Sequence, residues 1–350
     1  MARTLYILDQ GLKGLVGHYY EYVRSITEAA QARGFDCFIA GHLEAAEADF
    51  GQLEVHPAYT NGVWGTMPGE DYHAPASLNG VSKQFLAETR AALGKRVIKP
   101  GDIMYRYPSP HFEGEVATET FRRLERAAAA GYDINLCTDS HRLAEELTHL
   151  SSLPFHVVPI PHTAHALGQY QAERDAPLHC VSLGNARDEK GMAEILEAVR
   201  ITALHPWGNR LRFTLQVNDP YQVEEAIEEF RKNPDPRVTL IDQAMDSETY
   251  AGVLDSAECL LVPYWRSIYR ERTSGVFLEG LSLGKLLLCT EDTWMSDLLA
   301  PHGGGVAVAD RSPRDIAAAL GEMAQNRDRY QQAAVRAAQY WSKIHCPDNF

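Results

Sequence analysis

The 350-residue sequence lacks the marks of several large protein classes. Its six cysteines are dispersed without a C-x-x-C pair, which argues against disulfides and zinc sites and favours a reducing cytoplasm. No apolar run approaches the ~18–20 residues that span a bilayer. The formal net charge of −14 argues against a nucleic-acid-binding protein. Two small basic clusters, around Lys95 and Arg122, allow at most peripheral contact with the inner face of a membrane.

Two familiar phosphate-binding fingerprints are also missing. The absence of a G-x-x-x-x-G-K-[S/T] loop argues against a P-loop NTPase. Gly11, Gly14 and Gly17 are spaced G-x-x-G-x-x-G, whereas a dinucleotide site has G-x-G-x-x-G. These glycines nevertheless follow the first predicted strand and open the first predicted helix. Backbone N–H groups there can approach a phosphate or a hydroxyl closely.

What the sequence does contain is an alternation of strand and helix patterns from end to end. It predicts an α/β protein with two Rossmann-like, doubly wound parallel sheets. The predicted strands are 5–8, 36–40, 102–105, 134–137, 156–158, 179–183, 212–217, 238–240, 259–262, 286–289 and 305–308. The predicted helices are 17–33, 80–94, 113–130, 140–149, 190–204, 221–232, 247–254, 274–283, 294–299 and 312–325.

The length suits two domains of about 160–180 residues each. Pro159 and Pro161 interrupt the pattern, because proline continues neither a helix nor a central strand. We therefore predict domains over 1–165 and 175–326, followed by a helical tail over 327–350 that could cross back to the first domain. The long 57–80 segment, rich in aromatic residues and glycine, has the composition of a loop that closes over a ligand, and a simple surface flap is the alternative.

The most informative residues are two glutamates that bracket a predicted helix start. Glu271 precedes the polar Thr273-Ser274-Gly275 turn, and Glu279 follows within the apolar helix. A helix N-terminus binds phosphate, whereas carboxylates accept hydrogen bonds from hydroxyl groups. This combination suits a sugar and a ribose joined by a diphosphate.

A second motif follows the strand predicted at 179–183. Gly184 leads to Arg187 and Lys190, which lie near the start of the next helix. Cations are unfavourable at that positive end, and a bound diphosphate would resolve the conflict. The alternative is an ordinary solvated turn. Glu189, between the two cations, is expected to face solvent.

Taken together, these motifs resemble those of the retaining glycosyltransferases of the GT-B fold. The similarity is to the large family with the E-x7-E motif, which includes bacterial mannosyl-, glucosyl- and N-acetylglucosaminyltransferases. The residues that carry it are Gly14, Gly17, His18, Gly184, Arg187, Lys190, Gly191, Glu271, Glu279 and Gly284.

The resemblance implies two sheet domains that face each other across a cleft, and a role for each matching residue. Arg187 and Lys190 would neutralise the donor diphosphate, Glu279 would bind the ribose, and Glu271 would bind the donor sugar. Further donor contacts would come from Gly184, Ser274, Gly275, Val276, Gly14 and Gly17, and the acceptor side would hold His18, Arg106 and His111.

The implied reaction needs no cofactor and no metal. The co-substrate would be a nucleotide sugar, most simply a UDP- or GDP-linked one, and the acceptor would be a glycan, a glycolipid, another lipid-linked acceptor or a small molecule. Polysaccharide biosynthesis is the expected setting.

The sequence departs from the family pattern at two places, which bear on the donor sugar and on the hinge. Arg272-Thr273 occupies the place of a common Phe-Gly step, and Pro161-His162 stands where Asn-Gly is usual. Two alternatives stay open: a GT-B-shaped nucleotide- or glycan-binding protein without transferase activity, and a nucleotide-sugar epimerase.

Overall fold

The computed structural model describes residues 3–9, 11–15, 18–60, 87–94, 103–106, 115–161 and 176–349. The chain divides into two compact units, one of Met1–Thr163 with His345–Phe350 and the other of Ala164–Ile344. Several predicted features lie outside the described residues: Gly17, His111, the cluster around Lys95, most of the 57–80 segment, and residues 162–175 at the predicted domain boundary.

The first unit contains two three-stranded parallel sheets in its described part. One sheet is formed by β1 (Arg3–Leu8), β2 (Phe35–His42) and β3 (Val55–Tyr59), and the other by β4 (Ile103–Arg106), β5 (Ile134–Thr138) and β6 (Phe155–Val157). The helices are α1 (His18–Ala32), α2 (Glu115–Ala129) and α3 (His141–Leu147), and residues 87–93 are also helical.

The second unit is built on one six-stranded sheet in the order β12-β11-β10-β7-β8-β9, with every pair parallel. Its strands are β7 (Leu178–Ser182), β8 (Leu211–Gln216), β9 (Val238–Ile241), β10 (Cys259–Val262), β11 (Leu286–Thr290) and β12 (Gly305–Val308). Its helices are α4 (Met192–Ala203), α5 (Glu224–Lys232), α6 (Ser247–Ser256), α7 (Arg266–Tyr269), α8 (Gly275–Ser282), α9 (Trp294–Leu299), α10 (Pro313–Gln325) and α11 (Arg327–Trp341). The α/β prediction with parallel sheets is confirmed.

The central strands of this sheet are apolar on both faces because helices cover both sides. Every residue of β7, β10 and β11 is buried. Helix α8 approaches the sheet closely at Gly280, where a Cβ atom would lie 2.5 Å from Leu260 Cδ1 and 2.8 Å from Leu287 Cδ2. A larger residue at this position would force the buried side chains of Leu260 and Leu287 to shift.

The C-terminal segment is shared between the two units. Helix α11 packs against α8 and β11 of the second unit. The segment His345–Phe350 belongs to the first unit: the backbone N–H of Ile160 donates to His345 Nδ1 (3.1 Å), and Arg33 pairs with Asp348 (2.9 Å). Within the described part of the chain, every helix is too short or too polar to cross a membrane.

Candidate functional site

The candidate site lies at the centre of the six-stranded sheet, at the carboxyl ends of β7 and β10. These two strands are neighbours, but the chain leaves them in opposite directions, through β8 and β9 on one side and through β11 and β12 on the other. Such a switch point opens a crevice between the following loops, and open α/β sheets bind ligands there. The two loops are residues 183–191 and 263–274.

The loop after β7 makes a tight turn at Gly184, whose φ is +92°. Its backbone N–H donates to Gln216 Oε1 at the end of β8 (2.7 Å). A Cβ atom on Gly184 would stand 2.9 Å from Lys190 Nζ, so the glycine leaves the room that the ammonium group occupies. The sequence motif thus brings its first and last members together across the turn.

Lys190 is a cation beside other cations. Burial first, and then the positive charges of Arg187 and Arg272, lower the pKa of its ammonium to about 8, against an opposing effect of Glu189. Arg187 Nε lies 3.0 Å from Glu189 Oε1. The expectation that Glu189 faces solvent is wrong: its side chain is 19% exposed because it neutralises Arg187.

Helix α8 presents its N-terminus at the same edge, after β10. Ser274 is its N-cap and accepts a hydrogen bond from the Phe277 N–H (3.2 Å), while Gly275 is exposed and Val276 is half-buried. Ser274 also bonds the hydroxyl of Tyr264, a residue whose pKa burial raises well above its usual range. The cap leaves the backbone at residues 275 and 276 placed as a helix N-terminus that can bind an anion.

The two glutamates occupy the predicted positions around α8. Glu271 lies in the preceding loop, is 15% exposed, and meets Arg270 Nη1 through Oε1 (3.0 Å). Glu279 lies on the second turn of α8, where its Oε2 accepts a hydrogen bond from the Tyr250 hydroxyl of α6. Tyr250 belongs to none of the sequence motifs, because nothing local relates it to Glu279, 29 residues away.

Arg272 lies between the glutamates in sequence and close to the cationic pair in space. Its guanidinium is 5.1 Å from the centre of the Tyr269 ring, and its charge contributes to the lowered pKa of Lys190. The departure from the family pattern therefore adds a third positive group to the edge where Arg187 and Lys190 lie.

The backbone next to Lys190 is fixed by contacts behind the loop after β7. No sequence pattern indicates these contacts. The Trp265 N–H donates to the Glu189 carbonyl (2.8 Å), and its indole donates to Glu194 Oε1 (3.2 Å). The Arg311 guanidinium stacks on the indole at 3.8 Å from its centre. Residues from the ends of β10 and β12 thereby hold the loop that carries Lys190.

The second-unit candidates Gly184, Arg187, Lys190, Glu271, Ser274, Gly275, Val276 and Glu279 all lie at this carboxyl edge. Gly14 belongs to the first unit, where a Cβ atom on it would meet open space. The side chains of His18 and Arg106, like all of Gly17 and His111, lie outside the described residues. Their assignments stay predictions.

No protein-family model matches the chain, and no curated protein matches it by sequence. Solved structures do match over nearly its whole length. Sucrose-phosphate synthase from Thermosynechococcus elongatus has a TM-score of 0.68 at 15% identity, over 98% of this chain and 95% of that one. A glycosyltransferase from Rickettsia africae has a TM-score of 0.69 at 10% identity, over 99% and 95%.

A third match is Anabaena HepE in complex with UDP, with a TM-score of 0.65 at 11% identity, over 99% of this chain and 96% of that one. The chain has the GT-B fold. At these identities the similarity establishes the GT-B architecture alone, so any activity has to be argued from the residues of the site.

Proposed function

We propose that the protein is a retaining glycosyltransferase that uses a nucleoside diphosphate sugar as donor. The observation that carries the proposal is the position of Lys190, a half-buried ammonium group at the Gly184 turn whose pKa is lowered to about 8 beside the charges of Arg187 and Arg272. A protein gains nothing in stability by placing cations together in a partly buried site. A bound anion with two charges would reverse this cost, and a diphosphate has that charge.

The diphosphate would be bound by groups of three kinds. Arg187 offers a planar fork of N–H donors, and Lys190 offers a compact charge. The N-terminus of α8 at Gly275 and Val276 adds backbone N–H groups and the positive end of a helix dipole. These groups supply the positive charge at the leaving group, so the proposed reaction proceeds without a metal.

The two carboxylates would bind the hydroxyl groups on either side of the diphosphate, with Glu279 on the ribose and Glu271 on the donor sugar. In the proposed step the bond from the anomeric carbon to the diphosphate oxygen breaks. A bond from the same carbon to the acceptor oxygen forms on the same face. The acceptor proton passes to the leaving phosphate, so the anomeric configuration is retained and no carboxylate nucleophile is required.

The donor base is proposed to be uracil or guanine. Support for uracil comes from HepE, which has a similar fold and was solved in complex with UDP and with UDP-glucose. The acceptor is proposed to be a glycan or a lipid-linked sugar, and the reaction to take place in the cytoplasm as part of polysaccharide biosynthesis.

A thermal-shift screen with UDP, GDP, ADP and their sugars tests the donor class. A ligand at 100 times its dissociation constant should stabilise the protein by ~2.7 kcal/mol. Lys190→Ala should remove the shift, whereas Lys232→Ala, which changes an exposed lysine of α5, should keep it. No stabilisation of the native protein by any of these ligands would refute the proposal.

Product analysis separates transfer from the two alternatives. A transferase releases the nucleoside diphosphate when an acceptor is added, and it releases the diphosphate slowly to water without one. A changed sugar on an intact nucleotide would identify an epimerase. Binding without either reaction, across a panel of glycan and lipid-linked acceptors, would identify a binding protein.

A further inference from the structure

Tyr250 is a residue of the candidate site that no sequence motif includes. It lies near the start of α6, and the backbone N–H of Tyr250 donates to the Asp246 carbonyl (2.9 Å). Asp246 is the N-cap of this helix, and its side chain accepts a hydrogen bond from the Thr249 N–H (2.8 Å). The position of the ring is thus set by a capped helix. Its hydroxyl reaches across to Glu279 Oε2 on α8.

The hydroxyl can only donate in this contact, because a carboxylate accepts. Burial, and next the charge of Glu279, raise the pKa of Tyr250 well above its usual range, so the proton stays on the phenol at any physiological pH. Tyr250 is consequently suited to orient Glu279 and not to exchange protons with a substrate.

A glutamate on a helix has several rotatable bonds, and binding a ligand costs the freedom that they give. A hydrogen bond to Oε2 removes part of that freedom before the ligand arrives. The two carboxylate oxygens together offer about four acceptor sites, and the phenol occupies one of them. Glu279 is thereby pre-arranged as an acceptor at the carboxyl edge of the sheet.

We infer that Tyr250 is a positioning residue that holds Glu279 for recognition of the ribose hydroxyls of the donor. The inference rests on the proposed function, because it assigns a second residue to the same donor site. Tyr250 thereby affects binding of the ribose and not binding of the diphosphate or of the transferred sugar.

The test measures the affinity of UDP, 2′-deoxy-UDP and 3′-deoxy-UDP by calorimetry, with the GDP set in parallel. A hydroxyl bonded to a carboxylate should favour the ribonucleotide about tenfold or more over at least one deoxy analogue. In Tyr250→Phe, which keeps the ring, UDP should bind roughly fivefold more weakly, and the deoxy analogue that the native protein disfavours should be nearly unaffected. The ratio between the two ligands should therefore fall.

Two further variants sharpen the result. Glu279→Gln should weaken the discrimination in the same way, and adding Tyr250→Phe to it should have little further effect, since both act on one contact. Tyr330→Phe is the matched control, because it also removes a Tyr–Glu hydrogen bond, to Glu322, but away from the candidate site. It should leave the affinity ratio unchanged.

Three outcomes would overturn the inference, and they are distinguishable. Equal weakening of all three ligands in Tyr250→Phe would mean a structural role. A native protein that binds UDP or GDP but ignores the ribose hydroxyls would remove Glu279 from the ribose and leave the donor proposal standing. Failure of every nucleoside diphosphate to bind would refute the donor proposal itself.

Discussion

The charged groups at the two ends of the six-stranded sheet have different neighbours. At the amino ends of the strands, Glu258 pairs with Arg327 and also accepts from the His179 N–H (3.3 Å). Lys285 Nζ donates to the carbonyls of Asp255 (2.9 Å) and Ala257 (2.8 Å). At the carboxyl ends, Lys190 has guanidinium groups for neighbours and a pKa lowered to about 8.

The neighbouring carboxylates of Asp255 and Glu258 favour the charge of Lys285, whereas the neighbouring guanidinium groups oppose the charge of Lys190. Charged groups at the amino end have their acceptors and counter-charges within the protein, as buried charges in a scaffold require. At the carboxyl end the charges of Arg187 and Arg272 act against the charge of Lys190, which is the pattern of a site that awaits an anion. Five experiments test this contrast.

The largest effect on stability is expected at the amino end. Glu258→Ala leaves the buried Arg327 guanidinium without this carboxylate and should cost about 3–5 kcal/mol of unfolding free energy. Urea denaturation gives the value. Glu228→Ala, at an exposed pair with Arg231, should leave the transition unchanged within error. A loss for Glu258→Ala as small as that of this control would mean that the amino-end pair is not structural.

At the carboxyl end the glutamates should affect turnover in different ways. Glu271→Ala should lower kcat by about 10–100-fold, because contacts near the reacting carbon strengthen in the transition state. Glu279→Ala should instead raise the donor KM about tenfold with little change in kcat. Steady-state kinetics with the donor found by the screen measures both. The opposite pattern would exchange the two roles.

Replacing Lys190 and replacing Lys285 by methionine should change the unfolding free energy with opposite signs. Lys190→Met should stabilise the ligand-free protein at pH 7 by ~1–2 kcal/mol, because it removes a charge that the folded state disfavours. Lys285→Met should destabilise it by about 1–3 kcal/mol, because two carbonyls lose their donor. Two losses of equal size would contradict the comparison.

The pH dependence of the Lys190→Met effect follows from the direction of the shift. The folded pKa is about 8 and the unfolded value about 10.5, so between these values the unfolded state binds more protons. Below pH 8 the charge of the native lysine lowers the unfolding free energy by its full amount. This loss of stability disappears as the pH rises toward 10.5. Urea unfolding at about pH 7 and about pH 10 should therefore show the advantage of Lys190→Met shrinking.

The smallest effect is expected in ligand binding. If the protonated Lys190 binds the diphosphate, affinity for UDP or GDP should fall roughly fourfold between pH 7 and pH 8.5, as the ammonium loses its proton in the free protein. The phosphates are already ionised in this range. Lys190→Arg should show a flat profile, since guanidinium does not titrate there. A native profile as flat as that of Lys190→Arg would remove Lys190 from the diphosphate.

Sequence patterns predict most of the fold because the strands of the second unit are continuous apolar runs. The sequence patterns do not predict strand β3 (Val55–Tyr59), because it contains Pro57. Among the residues that the structure describes, that strand lies at the edge of its sheet, where a proline is tolerated. The sequence patterns also do not predict helix α7, because its four residues are too few to show a helical periodicity.

The site is predictable where its chemistry is local. Ser274 followed by an apolar run marks a helix start, and this places Glu271 before α8 and Glu279 within it. Contacts between distant segments carry no such pattern. Tyr250 meets Glu279, and Trp265 meets Glu194, only because strands far apart in the sequence are close in the sheet.

The C-terminal residues of the first unit have a consequence for how the chain matures. His345 and Asp348 bond Ile160 and Arg33, partners that precede them by 185 and 315 residues. A ribosome makes the whole second unit before either contact can form. The unit whose synthesis begins first is therefore the one whose contacts are completed last.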